Sequence, residues 1–203
     1  MQTELHKILK IVSLAERLKF ELRHSWLSNG RQESVAEHTW RVSLMAIMVE
    51  PLLSQRVVIE KLLKMIIIHD LVEAEAGDLP TFDTMSDDAL KKIKQQNETQ
   101  AIKNIKSTLD NELGQELYDL WFEFEHKDTY EAKVANALDK LEAQIQHNEA
   151  DISTWKEIEY EMSFMMEKHV NFEPTLRNLK DLIEADAEKK LLGAGIDLEN
   201  IKK

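Results

Sequence analysis

The chain has 203 residues, 43% of them apolar, and 26 Lys and Arg against 38 Asp and Glu, a formal net charge of −12. That length suits one domain with a packed core, while the acidic balance argues against nucleic-acid polymers as partners and leaves room for a small phosphate only where a cation reverses the local field. The absence of Cys removes disulfides, thiolate metal sites and cysteine nucleophiles, and fits a reducing compartment, with the cytoplasm as the default location.

The first residues are broken by charges every few positions, so neither a secretory leader nor a membrane span is expected. Ile8, Ile11, Val12, Ala15 and Leu18 instead mark one face of an amphipathic helix from about Glu4 to Leu22. The polar stretch 23–33 contains Asn29-Gly30 and reads as a loop. Ser34 and Glu37 have the spacing of a capping box, which opens a second helix that stops at Pro51. A third helix, about Ile59 to Ala76, is apolar nearly all round, the pattern of a central buried helix, and Gly77 is its natural stop.

After a loop from Asp78 to Ser86, helices are expected over about Asp87–Leu109, Glu112–Glu123, Thr129–Glu149, Ser153–His169 and Pro174–Leu192, followed by a loose tail from Gly193. No strand is expected. The reading is an all-α bundle: one domain over 1–192, with 151–192 as additional C-terminal helices and 193–203 as the tail. Trp40 and Trp121 are expected in the core, as are Met162, Met165 and Met166 unless these form a subunit contact.

Chemistry concentrates around His69-Asp70, which directly follows Met65-Ile66-Ile67-Ile68 on the buried helix. An ionised carboxylate buried beside an imidazole is expensive unless something neutralises it, and a divalent cation would do so. The dipeptide alone is also compatible with a His–Asp hydrogen bond that merely fixes the helix. Glu73 lies on the same helical face, and Asp78 follows the Gly77 stop; that much acid in one place needs a cation or a raised pKa. His38 sits in the first turn of the second helix, and Asp139 lies beside Leu138 on an apolar stripe. Taken singly, each has a bland reading, as a capping or packing His and as an exposed Asp.

The order His38, His69-Asp70, Asp139, all on helices, resembles the HD-domain metal-dependent phosphohydrolase superfamily. The segments E-S-V-A-E-H (33–38) and H-D-x-x-E-x-x-x-G-D-L-P-T (69–81) look like the bacterial 5′-deoxynucleotidases. The segment E-A-K-x-x-x-A-L-D-K-L-E (131–142) looks like the eukaryotic HD-domain-containing protein 2 branch. The resemblance spans about residues 5–150.

It implies a single HD-domain helical bundle in which His38, His69, Asp70 and Asp139 hold one divalent metal ion. By the same resemblance, Glu73 is catalytic, Asp78, Leu79, Pro80 and Thr81 form a substrate-contacting turn, and Arg23 contacts phosphate. The bacterial enzymes have Trp directly after that Arg; this chain has His24 there and Trp26 two residues later, the R-x-x-W arrangement of the eukaryotic branch. The residues after Thr81 also depart from the bacterial pattern. A homodimer is implied as well.

Two His and two Asp suit Mn²⁺, Co²⁺, Fe²⁺ or Zn²⁺. The expected chemistry is attack of water on phosphorus, with Glu73 orienting or deprotonating that water, Arg23 clamping the phosphate and Asp78 positioning the water or assisting the leaving 5′-oxygen. The leading substrate class is deoxyribonucleoside 5′-monophosphates. Rival readings keep the site on another phosphate ester or guanosine tetraphosphate, make it a di-iron oxidative centre, or make the chain a non-catalytic helical binding protein. Glu73 is followed by Ala74 rather than a second acid, which counts against the tetraphosphate. Only His126 lies between His69-Asp70 and Asp139 as an extra His ligand, which counts against the di-iron centre.

Overall fold

Helices fill most of the chain: α1 (Gln2–Ala15), α2 (Val35–Val49), α3 (Ile59–His69), α4 (Glu73–Ala76), α5 (Thr81–Met85), α6 (Asp88–Leu109), α7 (Glu112–His126), α8 (Tyr130–Glu149), α9 (Glu157–Met162), α10 (Glu167–Val170) and α11 (Pro174–Gly193). The structure, a computed structural model, describes residues 1–85 and 87–201, with all side chains there except those of Thr81, Thr84 and Asn200. Local capping chemistry sets several helix starts. Ser34 and Glu37 close the capping box of α2, and Asp87, Asn111 and Thr129 accept the first backbone N–H groups of α6, α7 and α8. Pro174 occupies the first turn of α11, where its missing N–H costs nothing.

The architecture is an all-α bundle around α8. That helix buries Leu138 and Leu141 completely and packs against α2, α3, α7 and α11. Its Ala132, Ala135 and Ala137 are also fully buried, and such small side chains let neighbouring helices approach closely. From α3, Leu62, Met65 and Ile66 complete the centre. Among the described residues, no helix is long and apolar enough to cross a membrane.

Several expectations are corrected. The first helix ends at Ala15, passes through a 3-10 turn (16–19) and gives way to a strand. The supposed loop is an antiparallel hairpin, β1 (Leu22–Trp26) with β2 (Gln32–Ser34), in which Leu22 faces Ser34, Trp26 faces Gln32, and the register shifts between. Asn-Gly at a tip is itself a hairpin signal, and Gly30 takes the positive φ of 83° that the turn requires. The strand escapes notice because Arg23 and His24 replace an apolar alternation. A short helix, α5, also interrupts the loop after Asp78.

The third helix stops at His69, not Ala76. Asp70 turns out of it at φ −92°, ψ −1°, and Glu73 N–H bonds back to the Asp70 carbonyl at 3.0 Å. Nor is α3 buried all round, since Ile67 is 56% exposed, so the central helix is α8. The helix expected over 153–169 breaks into α9 and α10. Met166 and Val170 join the main core while Trp155 packs with Ala187 and Leu191 in a second cluster, and the bent segment serves both. Ile196 and Leu198, beyond Gly193, fold back onto that second cluster. Trp121 is core, but Trp40 is 66% exposed, as is Met165 at 47%.

Candidate metal centre and its surroundings

Three helices and a turn bring the expected ligands together. His38 comes from α2, His69 from the last residue of α3, Asp70 from the turn that follows, and Asp139 from the middle of α8. All four are buried, His38 completely. His38 Nε2 lies 3.0 Å from Asp139 Oδ1 and 3.8 Å from Asp70 Oδ2. His69 Nε2 lies 3.0 Å from Asp70 Oδ1 and 3.9 Å from Asp139 Oδ1. One donor atom each from His38, His69 and Asp139 falls within 4.8 Å of the others.

The hydrogen bonds around this cluster orient its lone pairs inward. His69 Nδ1 donates to the Ile66 carbonyl at 2.6 Å, which leaves Nε2 as the acceptor nitrogen. That Nε2 and Asp70 Oδ2 are buried without any hydrogen-bond partner. A buried nitrogen lone pair facing carboxylate oxygens is repulsive unless a cation sits between them. The His69 backbone is held by Trp121 Nε1, which donates to its carbonyl at 3.2 Å, and the ring packs against Phe124 with centroids 4.7 Å apart. His38 Nδ1 hydrogen-bonds Glu142, also from α8, and Arg41 Nε braces that carboxylate at 3.1 Å.

Without a divalent cation, protons take over the balancing. Burial and the Arg23 charge push the His38 imidazolium down, but Glu142 and Asp139 outweigh them and raise it to about 9. Burial alone would raise Asp139; Lys140, 3.0 Å away, and the hydrogen bond to His38 hold it well below the ordinary carboxylate range. The residues therefore fit a divalent ion that replaces the proton of His38.

Acids and cations surround this centre. Glu73 is buried at the start of α4, its Oε2 has no partner, and burial followed by Asp70 and Asp78 pushes it well above the usual range. Burial also raises Asp78, against Arg23 and Lys94. Gly77, at φ +78°, ends α4 and starts the turn that carries Asp78, whose N–H donates to Glu21 at 3.1 Å. Arg23 Nε sits 3.3 Å from Glu33. Burial disfavours the Arg23 charge, but Asp70, Asp78, Asp139 and Glu142 overcome that and hold it firmly protonated.

Not every expected residue joins this centre. Trp26 packs edge-on to His24, with ring centroids 4.8 Å apart, and its carbonyl accepts from Gln146 at 2.7 Å. His24 also meets Phe82 at 4.9 Å and faces Glu159 at 3.4 Å, so it is tied to α5 and α9. The Leu79 carbonyl accepts from Lys94 at 3.3 Å, and the Pro80 carbonyl from Asp83 N–H at 3.1 Å as α5 begins. The Thr81 side chain lies outside the described residues.

Sequence reasoning missed Glu33, Arg41, Lys94, Lys140 and Glu142. Glu33 and Glu142 stand inside the quoted motifs, one just ahead of the capping box and one three residues after Asp139. A buried turn of α8 that carries both Asp139 and Glu142 was the available signal. Glu33, Glu142 and the outer nitrogen of His38 form a second acidic group behind the ring, one already neutralised by Arg23 and Arg41.

The bundle and the inward-facing donor set define a helical protein suited to a divalent cation. The chain belongs to the HD domain family, whose sequence profile matches residues 15–180. It is 33% identical over 144 residues to the zebrafish (Danio rerio) 5′-deoxynucleotidase HDDC2, covering 70% of this chain and 68% of that one. The human (Homo sapiens) protein of the same name is 31% identical over 144 residues, covering 70% and 67%. A crystal structure of a protein described as a predicted metal-dependent phosphohydrolase, from Magnetospirillum magnetotacticum, superposes with a TM-score of 0.76 at 26% identity and covers 96% of this chain and 98% of that one.

Proposed function

We propose that this chain is a metal-dependent phosphohydrolase that releases phosphate from deoxyribonucleoside 5′-monophosphates. The observation that carries the reading is the unpartnered, buried pair of His69 Nε2 and Asp70 Oδ2, aimed at His38 and Asp139. The names of the relatives supply the substrate class. His38, His69, Asp70 and Asp139 hold one divalent ion, with Mn²⁺, Co²⁺, Fe²⁺ and Zn²⁺ as the candidates. When bound, such an ion polarises a phosphoryl oxygen and lowers the pKa of water from about 15.7 toward about 7.

The protein's own groups do the rest. Glu73 Oε2 accepts the proton of the attacking water, a task suited to a carboxyl raised by burial. The Arg23 guanidinium, held charged by the surrounding acids, binds the phosphate. Asp78, also raised, assists the leaving 5′-oxygen, and Leu79, Pro80 and Thr81, with Trp26, are the further substrate contacts. A panel of deoxy- and ribonucleoside monophosphates, assayed for phosphate release with Mn²⁺ or Co²⁺ and with Asp70→Ala as the blank, tests this. Release from the deoxy members that the blank lacks supports the reading; wild type no faster than the blank on every member sinks it.

The same reading includes a homodimer. Trp40, Leu44, Ile47 and Met48 share one face of α2 and are 41–67% exposed, an apolar stripe of the kind that marks a protein contact. Trp40→Glu is expected to convert a dimer into a monomer in sedimentation velocity; a wild type that sediments as a monomer removes this part.

A further inference from the structure

We propose that Lys94 is a positioning residue for this hydrolytic site: its ammonium clamps the turn that carries Asp78. The inference rests on the phosphohydrolase reading above and adds a residue outside every motif that suggested it. The turn after Gly77 belongs to no helix, so contacts from elsewhere must fix it. Two hydrogen bonds do so from opposite ends of the chain segment. Glu21 takes the Asp78 N–H at 3.1 Å, and Lys94, reaching across from α6, donates to the Leu79 carbonyl at 3.3 Å.

Lys94 is not an ordinary surface lysine. Lys91 and Lys92, one turn earlier, are exposed, whereas the Lys94 side chain is 26% exposed and its ammonium faces Glu98, itself 12% exposed, at 3.5 Å. The ammonium thus stands between the Glu98 carboxylate and the Leu79 carbonyl. Burial opposes the Lys94 charge, yet Glu98, Glu73, Asp78 and Asp70 together stabilise it. A neutral donor would be enough to hold a carbonyl. An ammonium paired with Glu98 and kept charged is a stronger donor to the Leu79 carbonyl, and so holds more firmly the backbone that places Asp78.

Three variants test this in the full-length, metal-loaded protein: Lys94→Met, Lys94→Arg, and Lys92→Met as the exposed control. Steady-state kinetics on a monophosphate are paired with hydrogen exchange of the amides over 77–82. Lys94→Met is expected to lower kcat about 10-fold or more, since a small misplacement of a reacting group costs up to about 100-fold, with KM within about 3-fold. The Asp78 amide is expected to exchange faster. Lys94→Arg, which keeps charge and donor, recovers most of kcat and the slow exchange, and Lys92→Met changes neither. Should Lys94→Met fail to fold, Glu98→Gln, which loosens the ammonium without removing it, gives a smaller loss in the same direction.

Unchanged kcat in Lys94→Met overturns the proposal. So does an equal loss in Met and Arg accompanied by a lowered Tm, which marks a merely structural lysine. If the wild type cleaves no monophosphate, the phosphohydrolase reading fails instead, and the exchange arm alone judges the clamp: identical exchange in wild type and Lys94→Met removes it.

Discussion

Glu73→Gln is expected to lower turnover by roughly 100- to 10,000-fold, the usual span for loss of a general base, while the divalent ion stays bound. The carboxyl is buried, its Oε2 has no partner, and burial with the charges of Asp70 and Asp78 makes it hold a proton more tightly than an ordinary Glu. Such a group can take a proton near neutral pH, whereas a carboxylate of ordinary pKa is a poor base there. Gln keeps the shape and cannot accept that proton. The sign with pH follows. Below its raised pKa Glu73 is protonated and cannot act as base, so the rate falls as pH drops, starting above the ordinary carboxylate range. The residual activity of Glu73→Gln lacks that acid limb. The check is kcat against pH for both proteins, with metal content measured per chain. Full turnover in Glu73→Gln removes Glu73 from the chemistry.

Asp70→Asn is expected to do two opposite things. In metal-free protein it matches or exceeds the wild type in thermal stability, because Asp70 is a buried carboxylate with one orphaned oxygen, close to Glu73, Asp78 and Asp139. Removing one such charge relieves repulsion that, in stripped protein, the His38 imidazolium and Arg23 balance only in part. With metal the order reverses. An ion at 100 times its dissociation constant stabilises the wild type by about 2.7 kcal/mol, which for a chain of this size raises Tm by roughly 5–10 °C. Asp70→Asn gains little, having lost a ligand. Thermal melts of both proteins, stripped and with Mn²⁺ or Co²⁺, decide this. Equal metal-induced shifts in the two would mean that Asp70 is no ligand.

How much of this was legible in the sequence depends on what kind of contact set each feature. Helix starts written in local side chains were readable, as at Ser34 with Glu37 and at Pro174. Gly77 was readable as a stop, because only glycine takes its positive φ readily, but it ends the short α4 and not the third helix. The four candidate ligands were readable as an ordered set and not singly: His38 and Asp139 are 101 residues apart and meet only because α2 and α8 pack together. The hairpin was lost because its strand carries Arg23 and His24, whose places are set by Glu33 and Glu159 in three dimensions and not by any period in the chain.

The break at Asp70 was lost for a related reason. The helical pattern runs unbroken through Leu71 and Val72, yet both are buried after the chain has turned out of the helix. That turn, and not the i, i+4 geometry of one continuous helix, carries Glu73 to its place beside Asp70. The bracing residues Arg41 and Lys94 were invisible because their work lies between helices, where spacing along the chain says nothing. The exposure of Trp40 ran against its apolar character and became informative only once the fold showed it uncovered.

The central claim is that His38, His69, Asp70 and Asp139 hold one divalent ion on which phosphate release depends. Titrating Mn²⁺ or Co²⁺ into stripped protein by calorimetry at pH 7, in two buffers of different ionisation enthalpy, with phosphate release followed in parallel, tests it most directly. The account predicts one ion per chain, activity that rises in step and levels off at that point, and proton release on binding, because His38 is protonated up to about 9 until the ion takes its place. Full phosphate release from stripped protein in the presence of chelator, or binding and activity undiminished when His69 and Asp70 are both replaced by Ala, would contradict it.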